Sequence, residues 1–157
     1  MSIFNRIIFV CLLFVFSTQA AMTAQSHKNR GSKEEAKVLL DRAVGLVNIN
    51  EVVAFTMMTV PNTGFQNKDL YPFCIDKNGI LLAHPYDLGA SIKDMVSEDG
   101  VKVGMEMLDN AKNSVISEIS YLFPVYKDGI LTNKKGTKTT LYTRVKNYVC
   151  ASGFYSD

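Results

Sequence analysis

The sequence has few of the side chains from which metal sites are built: two histidines and three cysteines in 157 residues. His27 lies in a polar N-terminal segment, so His84 is the one histidine expected in the fold. Asp76 and Asn78 resemble the start of a calcium loop, but Ile80 occupies the next ligand position and the distal glutamate is missing. The set of ligands that zinc requires is missing too. We therefore predict neither a metal nor a cofactor.

Catalytic motifs are also lacking. The chain has no G-x-S-x-G, no P-loop and no dinucleotide-binding fingerprint. A nucleophile made of Cys74 or Cys150 with His84 is the alternative. Strand cysteines away from a helix N-terminus seldom have the lowered pKa that a nucleophile needs. The sequence thus predicts that the protein is not an enzyme.

A strong excess of one charge is missing. The chain has 17 basic and 15 acidic residues, and loss of Arg6 with a leader would leave 16 basic residues. Binding to nucleic acid depends on many phosphate contacts, so we predict no nucleic-acid partner. The lysines at 134, 135, 138 and 146 are more typical of a solvated loop and strand edge than of a polyanion site.

The chain lacks a hydrophobic run of the about 20 residues that a membrane span requires. Its longest run, residues 7–16, follows Arg6 and precedes small residues. This layout predicts a signal peptide over residues 1–20, cleaved after Ala20 or Ala24, with an uncleaved anchor as the alternative. We expect a periplasmic or secreted chain without a stable membrane span, with a disordered tail at 25–31 and one domain at 32–157.

Two amphipathic helices are predicted at the start of this domain. Ser32 and Glu35 have the spacing of a capping box, and apolar residues follow at helical intervals to Val47. Asn50 is placed to cap a second, shorter helix. One face of the first helix is apolar, so it must cover another layer of the domain.

The remaining chain alternates strand patterns with short helices. We predict a short helix over 91–96, a longer one over 101–112 and a basic loop over 134–138. The predicted strands cover 70–75, 80–84, 115–123, 137–146 and 148–155. Helices followed by strands with short turns predict an α+β fold with an antiparallel sheet.

Several segments, in order, resemble single Cache domains. They are DLYPFCIDKNGILLAHP at 69–85, GASIKD at 89–94, EDG at 98–100, YLFP at 121–124, the lysine-led strand 138–145 and CASGFY at 150–155. The resemblance covers residues 32–155. It implies a PAS-like five-stranded antiparallel sheet, with a long N-terminal helix on one face and short helices over the ligand face.

The sequence departs from this family's pattern in three places. It has no tryptophan, although the family often has Gly-Trp on the strand that precedes the aromatic segment. Leu141 stands where the family often has tyrosine, and Tyr142 comes next, on the other face of the strand. The chain ends at Asp157, so the expected form is a stand-alone secreted domain without an output domain.

Cys74 and Cys150 are two cysteines outside the predicted leader. In an oxidising compartment such a pair favours a disulfide, with two buried thiols as the alternative. The resemblance implies more, because Cys74 falls on the first strand and Cys150 on the last, which are neighbours in a PAS-like sheet. A Cys74–Cys150 disulfide is the resulting prediction.

The resemblance also implies a site for a small organic ligand, with a carboxylate favoured. Lys138 aligns with the family's strand lysine and would supply positive charge, although a solvent-facing lysine is the alternative. The aromatic candidates also suit a plain core, His84 suits a structural role, and Arg144 is a reserve charge. The candidate ligand-binding residues are Lys138, His84, Tyr121, Tyr142, Tyr71 and Phe73.

The function that follows is an extracytoplasmic module that binds or senses a small organic acid or similar metabolite. The alternative is a secreted protein–protein interaction module that has lost its ligand. The expected protein partner in either case is a second copy or a membrane receptor.

Overall fold

The computed structural model describes residues 30–127 and 130–156, without the side chains of residues 127 and 131. The predicted signal peptide and most of the predicted tail at 25–31 lie outside the described residues. Helix α1 is Lys33–Ile49. Its capping box forms as predicted, since Ser32 Oγ accepts from Glu35 N at 3.2 Å and Ser32 N donates to Glu35 Oε2 at 2.9 Å. The predicted apolar face is buried: Ala36, Leu39, Leu40, Ala43 and Val47.

Helix α2, Glu51–Thr59, follows directly. Asn50 caps it as predicted, with Oδ1 accepting from Val53 N at 3.1 Å. Ala54 and Met58 are buried against the layer beneath, and Val53 is 43% exposed. The helix is thus anchored to the domain through one side only.

Five strands form one antiparallel sheet in the order β2-β1-β5-β4-β3. Their bounds are β1 Pro72–Ile75, β2 Leu81–Ala83, β3 Ser117–Lys127, β4 Ile130–Val145 and β5 Tyr148–Ser156. Helix α3, Val103–Asn110, lies between β2 and β3 in the chain. This is the predicted α+β architecture, with the first and last strands adjacent at the sheet centre.

The sheet separates two hydrophobic cores because side chains alternate along each strand. Leu141 and Cys150 pack with α1 and α2 in one core. Tyr142 and Ala151, one residue further along the same strands, pack with α3 in the other. The leucine and tyrosine that distinguish this chain from the family pattern therefore face opposite layers.

Two predictions for irregular segments are wrong. Residues 91–96 form turns and isolated bridges instead of a helix, because Ile92 N donates to Gly79 O at 2.9 Å and Ser91 forms an isolated bridge with Ile80. Residues 134–138 belong to β4 instead of a loop, with Lys135 opposite Pro124 in the ladder. The helix predicted at 101–112 is confirmed but shorter.

The disulfide prediction is confirmed. Cys74 and Cys150 are directly opposite each other on β1 and β5, with their Cα atoms 4.1 Å apart. Met58 Sδ of α2 lies 3.9 Å from Cys74 Sγ, so the bridge also contacts the helical layer. The disulfide joins two residues that are 76 positions apart in the sequence.

Two kinds of feature are absent from the described residues. In that part of the chain, no helix is long and apolar enough to cross a membrane. Nor do three or more histidine, cysteine or acidic side chains of these residues gather where they could hold a metal ion.

Candidate functional site

A cavity of about 210 Å³ lies on the face of the sheet opposite α1. The sheet forms its floor, α3 forms one wall, and the irregular segment after β2 forms the other. Its apolar lining includes Phe73, Leu81, Ile92, Met95, Val103, Met107 and Phe123. Its polar lining is Tyr71, His84, Asp87, Tyr121, Tyr126 and Lys138.

Lys138 is the cation of this cavity. It lies on β4 between Tyr121 of β3 and Tyr155 of β5, and it is only 4% exposed. Its Nζ donates to Tyr71 Oη at 2.9 Å and lies 4.7 Å from the centre of the Tyr71 ring and 5.0 Å from that of Phe123. Burial lowers the pKa of Lys138. Within residues 30–127 and 130–156, no carboxylate lies within 4.0 Å of Nζ.

A glycine on the neighbouring strand makes room for the Lys138 stem. A Cβ at Gly153 would lie 2.6 Å from Lys138 Cε and 2.8 Å from Thr140 Oγ1. These separations are shorter than any real Cβ contact, so a side chain at position 153 would displace the lysine. The Gly-x-Tyr pattern at the end of the sequence therefore has a direct steric role at the site.

His84 is neutral and oriented by backbone. Its Nδ1 accepts from Tyr86 N at 3.1 Å and from Asp87 N at 2.9 Å, so the ring proton is on Nε2. Burial lowers the pKa of His84 to about 4. Asp87 Oδ2 lies 3.6 Å from Nδ1, but a neutral ring forms no ion pair with it. The ring thus offers one hydrogen-bond donor.

Tyrosine hydroxyls connect the polar groups of the cavity. Tyr121 Oη lies 3.0 Å from Thr140 Oγ1, and Tyr126 Oη donates to Asp87 Oδ2 at 2.6 Å. Burial raises the pKa of Tyr71 and of Tyr121, so both hydroxyls stay protonated at neutral pH. The Tyr71 ring packs edge-on against His84, with centroids 5.0 Å apart.

Five of the six predicted ligand-binding residues line this one cavity. Tyr142 does not. It shares the sheet face with Lys138 but lies four residues further along β4, which places it about 13 Å away. There it is buried in the core beneath α3. Arg144, the reserve charge, is engaged elsewhere, since its Nη2 donates to Leu108 O at 2.8 Å and its Nε to Ala111 O at 3.1 Å near the end of α3.

Two polar residues of the cavity were missed by sequence reasoning. Asp87 lies in an irregular segment after Pro85, and Tyr126 lies near the end of β3, beyond the predicted strand. They are 39 residues apart and meet only in the folded chain. No local pattern marks either residue as part of a site.

Neither the comparison with protein-family models nor that with curated proteins gives a match. Solved structures do match. A methyl-accepting chemotaxis protein from Vibrio parahaemolyticus RIMD 2210633 has 21% sequence identity and a TM-score of 0.59, covering 91% of this chain and 96% of that chain. A "periplasmic sensor domain of chemotaxis protein" has 18% identity and a TM-score of 0.56, covering 87% and 98%.

A third structure, titled as the basis for carboxylic acid recognition by a Cache chemosensory domain, has 18% identity and a TM-score of 0.54. It covers 89% of this chain and 99% of that chain. The fold is therefore that of the sensor domains of chemotaxis proteins. More particularly it is the Cache fold, as the sequence resemblance implied.

Proposed function

We propose that this domain binds a small organic acid in the cavity at Lys138, as an extracytoplasmic sensing or binding module without catalytic activity. The observation that carries the proposal is the buried Lys138 ammonium, which faces the cavity with no carboxylate of the described residues within 4.0 Å. A desolvated charge is costly unless it is paired. A ligand carboxylate would supply the missing partner.

Neighbouring groups support the binding of a carboxylate at this position. Neutral His84 offers the Nε2 proton, and the protonated hydroxyls of Tyr71 and Tyr121 lie in the same lining. Charge-assisted hydrogen bonds to a carboxylate are the stronger ones in proteins. The lining therefore offers a cation together with neutral donors.

The size of the cavity favours a small ligand. At about 210 Å³ it is smaller than the about 300–1,000 Å³ typical of pockets for drug-sized molecules. An open cavity also favours ligand binding over the alternative, an interaction module whose pocket has collapsed. The matched Cache structure whose title names carboxylic acid recognition adds an argument by analogy.

A periplasmic or secreted location fits the same proposal. The Cys74–Cys150 disulfide is typical of an oxidising compartment. One matched structure is described as a periplasmic sensor domain. A signal peptide at residues 1–20 would deliver the chain there.

Thermal unfolding of the purified chain against a panel of small organic acids, amino acids and amines tests the proposal. A ligand that binds only the native state stabilises it by about 2.7 kcal/mol at a hundredfold excess over Kd. We expect one chemical class that contains a carboxylate to raise Tm by several degrees. A flat response to every carboxylate would contradict ligand binding and favour the interaction module, to be followed by a search for a protein partner.

A further inference from the structure

Two opposite charges line the cavity without pairing with each other. Lys138 and Asp87 both belong to its lining, yet no ion pair of the described residues joins them. A different tyrosine holds each charge, since Lys138 Nζ donates to Tyr71 Oη at 2.9 Å and Asp87 Oδ2 accepts from Tyr126 Oη at 2.6 Å. The two tyrosine rings are themselves neighbours, with centroids 6.1 Å apart.

Separated charges of this kind suit a particular occupant. In a partly apolar cavity opposite charges attract each other, and the buried Lys138 ammonium is costly to leave unpaired. The Asp87 side chain is 44% exposed, so water shares in solvating its charge. A simple monocarboxylate would pair with Lys138 but would bring a second negative charge towards Asp87. A dicarboxylate would worsen that repulsion, because Lys138 is the only cation in the described lining.

We infer that the ligand is a zwitterion, with a carboxylate and a cationic nitrogen, of the amino-acid or betaine class. This inference rests on the proposed function and names the ligand class more narrowly. The carboxylate would pair with Lys138, and the nitrogen would lie at Asp87. Asp87 Oδ2 is held by Tyr126, which leaves Oδ1 for the ligand.

Aromatic rings near Asp87 suit a cationic nitrogen as well. Tyr71 and Tyr126 both line the cavity, with ring centroids 6.1 Å apart and planes at 86° to each other. Ring faces attract cations, and quaternary ammonium groups are often recognised in this way. The apolar part of the ligand would then contact Met95, Val103 and Met107 in the cavity.

Matched compounds test the inference by calorimetric titration of the purified chain. The panel contains the standard amino acids and glycine betaine, each beside its analogue without the nitrogen charge. For valine the analogue without the charged nitrogen is isovalerate, and for glycine betaine it is 3,3-dimethylbutanoate. We expect at least one zwitterion to bind about 10-fold or more tightly than its analogue, the effect of one charge-assisted hydrogen bond. Because the amino acids carry a protonated amine and glycine betaine a quaternary one, the panel also distinguishes the amino-acid class from the betaine class.

Asp87→Asn supplies the matched variant, because the amide still accepts from Tyr126. The variant should bring the zwitterion down to the affinity of its nitrogen-free analogue. Asp109→Asn, on the exposed side of α3, is the control and should leave both affinities unchanged. Monocarboxylates that bind at least as tightly as every zwitterion would overturn the inference and leave the proposed function standing. Failure of every carboxylate to bind would overturn both.

Discussion

Lys138 Nζ donates a hydrogen bond of 2.9 Å to Tyr71 Oη, joining two residues that are 67 positions apart in the sequence. The bond is buried and connects β4 to the residue that precedes β1. It fixes the one cation in the described lining of the cavity against an aromatic wall.

Replacing the cation should separate binding from stability. Lys138→Met removes the charge but keeps much of the volume, and replacing a buried charge by an apolar group is often neutral or stabilising. We expect Tm of the ligand-free chain to stay the same or rise, while the carboxylate-induced shift is lost. Lys134→Met, on the exposed part of β4, is the control and should keep the full shift. Retention of the shift in Lys138→Met would place the carboxylate elsewhere.

The affinity for a carboxylate should fall as pH rises. Burial lowers the pKa of Lys138 in the free domain, and a paired carboxylate would raise it again. Binding is therefore expected to take up a proton at pH values between the lowered pKa of Lys138 in the free domain and its higher pKa in the complex. Titration calorimetry in buffers of different ionisation enthalpy measures this uptake. Lys138→Arg, which keeps its charge, should show none; equal uptake in both proteins would contradict the assignment.

His84 should destabilise the domain in mild acid. Its pKa falls from 6.5 to about 4 on folding, so the unfolded chain binds a proton that the native chain excludes between these values. Stability is fully present above about 6.5 and is lost as pH falls towards about 4, by about 3 kcal/mol in total. Denaturant unfolding from pH 4 to pH 8 measures the loss.

The matched variant for this titration is His84→Asn. Its side-chain oxygen can still accept from the backbone N–H groups of Tyr86 and Asp87, but it does not titrate in this range. The loss of stability in acid should be smaller in the variant, by the amount that His84 contributes in the natural chain. An unchanged pH profile would show that other groups cause it.

The strand glycine should be needed for the site. Gly153→Ala places a methyl group against the Lys138 stem, which must move away. We expect a weaker carboxylate-induced shift, together with a loss of stability. Gly45→Ala is the contrasting control, because nothing lies within 4 Å of its Cβ position and it lies inside α1. That change should stabilise the chain by about 1 kcal/mol and leave binding intact.

Removing the cross-link should cost stability without abolishing the site. The double variant Cys74→Ala/Cys150→Ala loses a bridge that spans 76 residues, worth about 4 kcal/mol in the chain-entropy model. For a domain of this size the expected fall in Tm is on the order of 10 °C. A reducing agent should lower Tm of the natural chain and leave that of the double variant unchanged. An equal response in both would contradict the bridge.

Local patterns predicted the parts of the fold that local chemistry decides. The α1 capping box depends on residues three positions apart, and the strand alternation that separates Leu141 from Tyr142 depends on adjacent ones. The segment 91–96 has a helix-like sequence, but its backbone bonds with Gly79 and forms isolated bridges with Ile80 and Lys102 instead. Such long-range competition leaves no trace in the sequence of the segment.

The same limit applies to the candidate site. Lys138 and the aromatic residues of regular strands were found through a resemblance to strand motifs. Asp87 was missed because its position depends on an irregular segment and on Tyr126, which is distant in the sequence. Tyr142 shares the sheet face of Lys138, but distance along the strand, which motif order does not measure, removes it from the cavity.

The bridge between Cys74 and Cys150 also affects how the domain would survive proteolysis. His84, Asp87, Tyr121, Tyr126 and Lys138 all lie in the segment that the two cysteines enclose. A single cut by an extracellular protease anywhere in that segment would leave both fragments covalently joined through the central strands. The nicked chain would therefore run as two pieces only after reduction, and its cavity walls could not diffuse apart.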